Sequence, residues 1–161
     1  MTVDEYNQSV DAYADRLYRF ILKNISDEDK ANDIVQDTFE KLWLKVDQVD
    51  YKKVRSYLFT TGYHTMIDML RKEKKQTRVE DYHFNGYSTN SQYTDLQEVL
   101  HEAVQRLPED QRSVILLRDY EGYAYNEIAD ITGLSESQVK VYIYRGRMQL
   151  KEYLVSIQTV L

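Results

Sequence analysis

Residues 125–139 read Tyr-Asn-Glu-Ile-Ala-Asp-Ile-Thr-Gly-Leu-Ser-Glu-Ser-Gln-Val and contain the sharpest local pattern in the chain. A helix-turn-helix motif needs a small residue where its helices cross, a glycine that lets the chain reverse, and a branched apolar anchor in the second helix. Ala129, Gly133 and Val139 meet these needs at steps of four and six residues. The pattern therefore predicts a helix-turn-helix, a motif that places its second helix in the major groove of DNA.

The second helix of this motif is predicted over residues 135–154, because Ser135 and Gln138 can form a capping box at its start. The side expected to face the core carries Val139, Ile143, Gly146 and Leu150. The other side carries Gln138, Lys140, Val141, Tyr144, Arg145 and Met148. Arg145 suits a guanine or a phosphate, whereas Lys140, Arg147 and Lys151 suit phosphates. The alternative is an ordinary helical hairpin with a solvated basic face.

Apolar residues recur at steps of three and four along most of the remaining chain, which is typical of helices. Helices are predicted over residues 3–24 and 54–75, with another between them whose start Ser26 would cap. In this middle helix Phe39 and Trp43 are expected in the core. Five glycines and one proline in 161 residues favour long helices over a loop-rich β protein.

The helical periodicity of the sequence ends at about Gln76. Residues 83–92 are polar and aperiodic, which indicates a linker. Beyond it, a helix is expected to begin at Pro108 and to stop near Gly122, followed by a helix over residues 126–132. The predicted fold is therefore all-α, with two small helical domains joined by a flexible linker and the helix-turn-helix in the second. The boundaries expected are 1–76, 77–94 for the linker, and 95–161.

The composition excludes several classes of protein. Cysteine is absent, so the chain has no disulfide framework, thiolate metal site or cysteine nucleophile. The start lacks an apolar signal core, and no stretch approaches the roughly 18 apolar residues of a membrane helix. We therefore expect a cytoplasmic protein without membrane insertion. His64, His83 and His101 are scattered and no Gly-rich phosphate loop occurs, so neither an enzyme nor a cofactor is expected.

The net charge is -6, which disfavours a DNA-binding protein that acts alone, because affinity for the phosphate backbone comes largely from Lys and Arg. The basic residues are nevertheless clustered, in residues 52–78 and again in residues 137–151, where no acid occurs. Acidic residues concentrate in residues 27–40. Two basic patches on an acidic chain predict DNA contact that needs the help of a partner.

Further motifs resemble, in chain order, those of the extracytoplasmic-function sigma factors. Residues 33–39, Asp-Ile-Val-Gln-Asp-Thr-Phe, followed by Trp43, resemble the polymerase-binding helix of that family. Residues 57–59, Tyr-Leu-Phe, and residues 68–72, Asp-Met-Leu-Arg-Lys, resemble its promoter-melting and minus-ten segment. Its minus-thirty-five domain is resembled by residues 107–112, 117–123 and 127–129. The resemblance covers nearly the whole chain.

The resemblance implies a factor that binds core RNA polymerase, recognises the minus-ten and minus-thirty-five elements of promoter DNA, promotes melting and is controlled by an anti-sigma factor. The polymerase-binding residues implied are Asp33, Gln36, Asp37, Glu40 and Lys41. Those implied for minus-ten DNA are Tyr57, Tyr63, His64, Asp68, Arg71, Lys72, Lys74 and Lys75. Those implied for minus-thirty-five DNA are Gln138, Lys140, Val141, Tyr144, Arg145 and Arg147.

The chain departs from the family at three of these positions. The family usually has Arg at Tyr63, Asn at His64 and Glu at Asp37. Because the first two would lie against the minus-ten DNA, its preferred sequence is not predicted. Two other functions remain open: a regulator that binds its operator without polymerase, and an adaptor that binds polymerase without reading DNA.

Overall fold

The computed structural model describes residues 1–77 and 96–160, which fold into helices joined by short turns. No strand occurs within these two ranges, and the all-α prediction is confirmed. The predicted linker, residues 77–94, lies outside the described residues except for Thr77, which is the last residue of a helix. None of the helices described is long and apolar enough to cross a membrane.

The first two helices, α1 (Val3–Ile25) and α2 (Glu28–Leu44), meet at a tight corner. Ser26 ends α1 in the left-handed conformation at φ 54°, and Asp27 caps α2 by accepting a hydrogen bond from the Lys30 amide at 3.1 Å. The prediction that Ser26 caps α2 was therefore wrong by one residue. Ser26 has the left-handed backbone that ends α1, whereas Asp27 has the extended backbone that an N-cap requires. The Asp27 carboxylate also places a negative charge at the positive end of α2.

A single 3₁₀ turn (Tyr51–Lys53) leads into α3 (Val54–Thr77), which packs against both α1 and α2. The core of this three-helix unit is closed to solvent and includes Leu17, Phe20, Ile21, Ile34, Leu42 and Leu58. Burial of each such side chain contributes roughly 1.5–3 kcal/mol. This apolar centre fixes which sides of α2 and α3 remain outside.

Trp43 does not belong to that core. Phe39 is buried as predicted, but the Trp43 side chain is 46% exposed. The buried positions of α2 are Ala31, Ile34, Thr38, Phe39 and Leu42. Phe39 lies at the edge of this side, and Trp43, four residues later and one residue after Leu42, is turned further toward solvent. The core prediction for Trp43 was therefore wrong.

The second unit contains α4 (Leu96–Gln105), α5 (Glu109–Ile115), α6 (Tyr125–Thr132) and α7 (Glu136–Val160). Pro108 stands directly before α5, and a π-helical turn (Leu116–Tyr120) extends α5 up to Gly122, whose φ is 77°. The predicted stop near Gly122 is thus confirmed. Helix α7 runs six residues beyond its predicted end at Leu154.

Helices α5 and α7 approach so closely at Gly146 that a side chain would not fit. A Cβ atom there would lie 2.3 Å from Cδ1 and 3.2 Å from Cγ1 of Ile115, which is 1% exposed. We expect Gly146→Ala to lower the free energy of unfolding by about 1 kcal/mol, because overpacking outweighs the gain of about 1 kcal/mol in helix propensity. Urea denaturation of the full chain measures this change.

Ile115→Val provides the matched control, since it removes the Cδ1 atom that a new Cβ would meet. In that background Gly146→Ala should be neutral or stabilising. An equal loss in both backgrounds would contradict steric overpacking as the cause.

The two units pack directly on each other. Helix α3 contacts α6, and α1 contacts α4 and α5. The buried apolar side chains of both units form one continuous cluster, in which the rings of Phe59 and Tyr123 lie 5.6 Å apart. The shared apolar cluster therefore fixes the position of the two units relative to each other.

Candidate functional site

The helix-turn-helix is formed by α6, a turn at Gly133 and α7. Gly133 ends α6 in the left-handed conformation (φ 79°, ψ 5°), which glycine adopts without strain. The capping box at the start of α7 is present: the Gln138 amide donates to Ser135 Oγ at 3.1 Å, and the Ser135 amide donates to Gln138 Oε1 at 3.0 Å. The local geometry expected from the spacing is therefore confirmed.

The two sides of α7 are separated as its spacing predicts. Val139, Ile143 and Gly146 are buried and Leu150 is half-buried. The side chains exposed to solvent are Gln138, Lys140, Val141, Tyr144, Arg145 and Met148. Val141, Tyr144 and Met148 are 42%, 66% and 41% exposed and recur at steps of three and four along this side, and such a group of exposed apolar side chains is typical of a binding face.

The basic residues of α7 differ in what they contact. Arg147 donates two hydrogen bonds to the Asp119 carboxylate, at 2.6 and 3.2 Å. These hydrogen bonds are the main reason that the pKa of Arg147 is raised. Lys140 lies 3.9 Å from Glu136. Arg145 forms no ion pair within residues 1–77 and 96–160, so its guanidinium is available to a ligand. Arg147 instead attaches α7 to the extension of α5.

The predicted polymerase-binding residues lie on the outer side of α2. Asp33, Gln36 and Glu40 are exposed, and Asp37 is half-buried. Lys41 forms an ion pair with Asp37 at 3.1 Å and donates a hydrogen bond to Thr65 of α3 at 3.0 Å. The side chain of Lys41 thus joins α2 to α3, and the acidic and amide groups form the surface beyond it.

Two apolar side chains extend this surface, and sequence reasoning missed both. Trp43 is 46% exposed and Leu44 is 75% exposed at the end of α2. The Trp43 ring packs edge-on against Tyr6 of α1 with 5.1 Å between centroids, which holds it in place. The sequence signal that could have identified Trp43 as exposed is its position one residue after the buried Leu42, which turns it away from the buried side of α2.

The residues predicted for minus-ten DNA divide between two sides of α3. Tyr57, His64, Asp68 and Lys75 recur at steps of seven, four and seven residues and therefore share one side of the helix. Of these, His64, Asp68 and Lys75 are exposed, as are Arg71 and Lys72 beside them. We call these six residues the open side of α3; Arg71 lies at its edge and also borders the cleft on the other side.

The other side of α3 faces the second unit across a cleft of about 330 Å³. From α3 the cleft is lined by Tyr63, Ile67, Leu70, Arg71 and Lys74. Glu109 and Asp110 of α5 and the turn after α6 form the opposite wall. Burial, together with Glu109 and Asp110, raises the pKa of Tyr63 to about 12. Tyr63 and Lys74 are thus turned toward α5 and α6.

The comparisons with known proteins agree with these features. The family description "Sigma-70 region 2" matches residues 9–76, and "Sigma-70, region 4" matches residues 97–150. The chain is 30% identical over 156 residues to the ECF RNA polymerase sigma factor SigM of Bacillus subtilis (strain 168), with 94% of each chain covered. It is 34% identical over 132 residues to the RNA polymerase sigma factor SigV of the same organism, covering 80% of this chain and 78% of SigV.

Two solved structures resemble the whole fold. The sigma factor RpoE in complex with the anti-sigma factor NepR from Bartonella quintana superimposes with a TM-score of 0.81 at 28% identity, covering 94% of this chain and 98% of RpoE. CnrH in complex with the cytosolic domain of CnrY superimposes with a TM-score of 0.68 at 25% identity, covering 94% of this chain and 88% of CnrH. The chain therefore belongs to the extracytoplasmic-function family of RNA polymerase sigma factors, which are transcription initiation factors.

Proposed function

We propose that this chain directs core RNA polymerase to promoters, with α2 as its polymerase-binding helix, α3 as its minus-ten helix and α7 as its minus-thirty-five helix. The observation that carries the proposal is the presence on one chain of three different exposed surfaces: acidic and apolar on α2, basic on α3, basic and aromatic on α7. A regulator that acts without polymerase does not require the acidic and apolar surface of α2. An adaptor that does not read DNA does not require the basic surfaces of α3 and α7.

The polymerase-binding surface combines charge with an apolar anchor. Asp33, Gln36 and Glu40 present carboxylate and amide groups that complement a basic, amide-rich partner helix and accelerate association. Trp43 and Leu44 supply apolar area at one end, and tryptophan is among the residues that contribute most to binding at interfaces. The partner we assign to this surface is the core polymerase.

The open side of α3 fits the non-template strand of the minus-ten element. Flipping a base out of the duplex costs a few kcal/mol, and stacking on an aromatic ring recovers roughly 1–3 kcal/mol per base. Tyr57 and His64 provide rings on this side, and Asp68 can accept hydrogen bonds from a base edge. Arg71, Lys72, Lys74 and Lys75 contact phosphates, and Tyr63, beside the cleft, is a further ring on which a base can stack.

Arg145 is the residue of α7 that we assign to base reading in the minus-thirty-five element. Arg145→Ala should weaken binding to the preferred element by about 1–3 kcal/mol and remove discrimination at the one base pair it contacts. Holoenzyme binding to a set of promoters that carry each single substitution in this element measures both effects. Lys151→Ala is the matched control, because a phosphate contact should affect every promoter equally. A uniform loss for Arg145→Ala as well would assign it to phosphate instead.

Control by an anti-sigma factor is part of the proposal. RpoE of Bartonella quintana was solved with the anti-sigma factor NepR, and CnrH with the cytosolic domain of CnrY. The similarity of this chain to both, at 28% and 25% identity, supports a comparable partner. We further propose that the chain acts in the cytoplasm, where the polymerase is, and that it catalyses no reaction itself.

In vitro transcription from a pool of randomised promoters, with core polymerase in the presence and absence of the chain, tests the whole proposal. Start sites that depend on the chain and share two sequence elements about one and a half to two DNA turns apart are the expected result. Polymerase binding without such initiation would favour the adaptor. DNA binding by the chain alone, without polymerase binding, would favour the independent regulator.

A further inference from the structure

The centre of the solvent-facing side of α7 is apolar. Val141, Tyr144 and Met148 are exposed there, and their spacing of three and four residues places them on the side opposite the buried Val139 and Ile143. A helix that packs only its other side on a core is expected to be polar at this position. These three exposed residues, which we call the apolar strip of α7, therefore indicate contact with a partner.

Helix formation does not account for the valine in this strip. Valine is a poorer helix former than alanine, lysine or glutamine, because its branched side chain loses freedom against the preceding turn. Val141 remains 42% exposed in the folded chain. It lies in the second turn of α7, which begins at Glu136, and the first turns of a recognition helix are the part that contacts base edges. The position of Val141 is therefore suited to reading DNA.

Cationic side chains flank the apolar strip on both sides. Lys140 and Lys151 lie on one flank and Arg145 lies on the other, and residues 137–151 contain no acid. The side chain of Lys140 is 57% exposed, although it lies 3.9 Å from Glu136. An apolar strip between cations complements the major groove of DNA, in which charged phosphates border a floor of base edges.

The chemistry of valine selects among the four bases on that floor. The Val141 side chain has no hydrogen-bond donor or acceptor, and the C5-methyl group of thymine is the apolar group that base edges present in the major groove. Against the edge of another base, Val141 would exclude water from a polar group without replacing its hydrogen bond, which is unfavourable. Contact with a methyl group instead buries apolar surface of both partners.

We propose that Val141 is a specificity-determining residue that reads the C5-methyl group of a thymine in the minus-thirty-five element. This inference rests on the proposed function and names the base that one position of α7 selects. Arg145 lies four residues later, about 6 Å further along the same side of α7, and successive base pairs are about 3.4 Å apart. The thymine read by Val141 therefore lies within about two base pairs of the pair that Arg145 contacts.

Deoxyuridine is the probe for this contact, because it pairs with adenine as thymidine does and lacks only the C5-methyl group. Each thymine of the minus-thirty-five element, on either strand, is replaced singly in a promoter taken from the chain-dependent start sites. Competition binding then measures the affinity of the holoenzyme formed by core polymerase and the full chain. One position should lose about fourfold in affinity, which corresponds to about 0.8 kcal/mol for burial of one methyl group. Deoxyuridine between the two promoter elements should have little effect.

Val141→Ala should remove the sensitivity to deoxyuridine at that position. The variant should bind the thymine promoter about fourfold more weakly than the unsubstituted chain does, and it should bind the deoxyuridine promoter with the same affinity as the thymine promoter. The two losses are then not additive, as expected for groups in direct contact. Thermal unfolding should not reveal destabilisation, because the side chain is on the surface and alanine favours helices.

Val155→Ala is the matched control. It makes the same truncation at a valine of α7 that is 50% exposed and lies about 21 Å further along the helix than Val141. Because this position is remote from the first turns of α7, the variant should retain the full fourfold response to deoxyuridine.

Equal binding of the thymine and deoxyuridine promoters by an active holoenzyme would overturn the inference and assign the apolar strip to a protein partner. An undiminished response to deoxyuridine in Val141→Ala would overturn it as well, because another side chain would then contact the methyl group. A selected minus-thirty-five element without thymine on either strand would have the same consequence. Chain-dependent initiation persists in all three cases, whereas its absence would reject the proposed function itself.

Discussion

Replacing Asp33 and Glu40 together by lysine is expected to weaken binding of core polymerase about a hundredfold and to abolish transcription that depends on the chain. Loss of charged groups at an interface costs about 2–5 kcal/mol, and about 3 kcal/mol corresponds to roughly a hundredfold in the dissociation constant. Here two positive charges would additionally face a basic partner. Fluorescence anisotropy of the labelled chain titrated with core polymerase measures the affinity.

The folded state should tolerate this double substitution. Both carboxylates are exposed, and Asp33 lies beyond the first turn of α2, where the helix dipole has little effect. Lysine near the end of α2, at position 40, is compatible with the dipole. Thermal unfolding followed by circular dichroism should therefore change little.

Asp11→Lys combined with Asp47→Lys is the matched control, because it makes the same charge change at two exposed acids outside the α2 surface. Its polymerase affinity should stay within about threefold of the unsubstituted chain, as expected for a long-range effect screened by salt. Equal losses in both double variants would mean that net charge, and not the α2 surface, determines binding.

Arg112→Lys is expected to lower the free energy of unfolding by about 3 kcal/mol, the largest stability effect that we predict for a conservative change. The Arg112 side chain donates to the carbonyl oxygens of Val104, Gln105 and Leu107 at 3.3, 3.2 and 2.8 Å, and to that of Asn24. The last carbonyls of a helix have no partner inside it, so Arg112 satisfies the end of α4.

Lysine cannot replace this arrangement, because its ammonium group lacks the planar set of five donors. Each lost hydrogen bond from a charged donor costs about 1.5–3 kcal/mol, and some carbonyls would regain water. Burial lowers the pKa of Arg112, and the Glu109 carboxylate opposes this shift; the guanidinium remains charged at neutral pH. Chemical denaturation of the full chain measures the difference in stability.

Arg106→Lys is the corresponding control, six residues earlier in the chain, on an exposed side chain that lies 4.3 Å over the Tyr153 ring. We expect it to cost less than about 1 kcal/mol, the range of an exposed cation–π contact. If Arg112→Lys costs no more than this control, the hydrogen bonds at the end of α4 do not contribute as described.

Several features of the fold were predictable because they depend on neighbours in the chain. The reversal at Gly133 and the capping box of Ser135 and Gln138 join atoms at most four residues apart. The buried side of α7 follows from helical periodicity alone. These local rules gave the correct helix class and the correct exposed face.

Errors arose where the position of another helix decides the outcome. Ser26 and Asp27 are both acceptable caps in sequence, and only the geometry of the corner between α1 and α2 selects Asp27. Trp43 is large and apolar, yet it lies one position beyond Leu42 on the solvent side of α2, where its ring packs edge-on against Tyr6. The division of the α3 residues into an open side and a cleft side was likewise invisible before α5 and α6 were in place.

The amino-acid sequence by itself determined the helices, the capping box at Ser135 and Gln138, the helix-turn-helix and the sigma-factor family. The tertiary structure alone decided how the two units meet. Asn24 and Ser113 are 89 residues apart, and Arg55 and Glu121 are 66 apart. Contacts between residues so far apart leave no periodic pattern in the sequence. The entropic cost of closing a loop grows only slowly with its length, so chain separation alone does not indicate which residues will meet. Which side of α3 is covered is therefore a property of the packed chain.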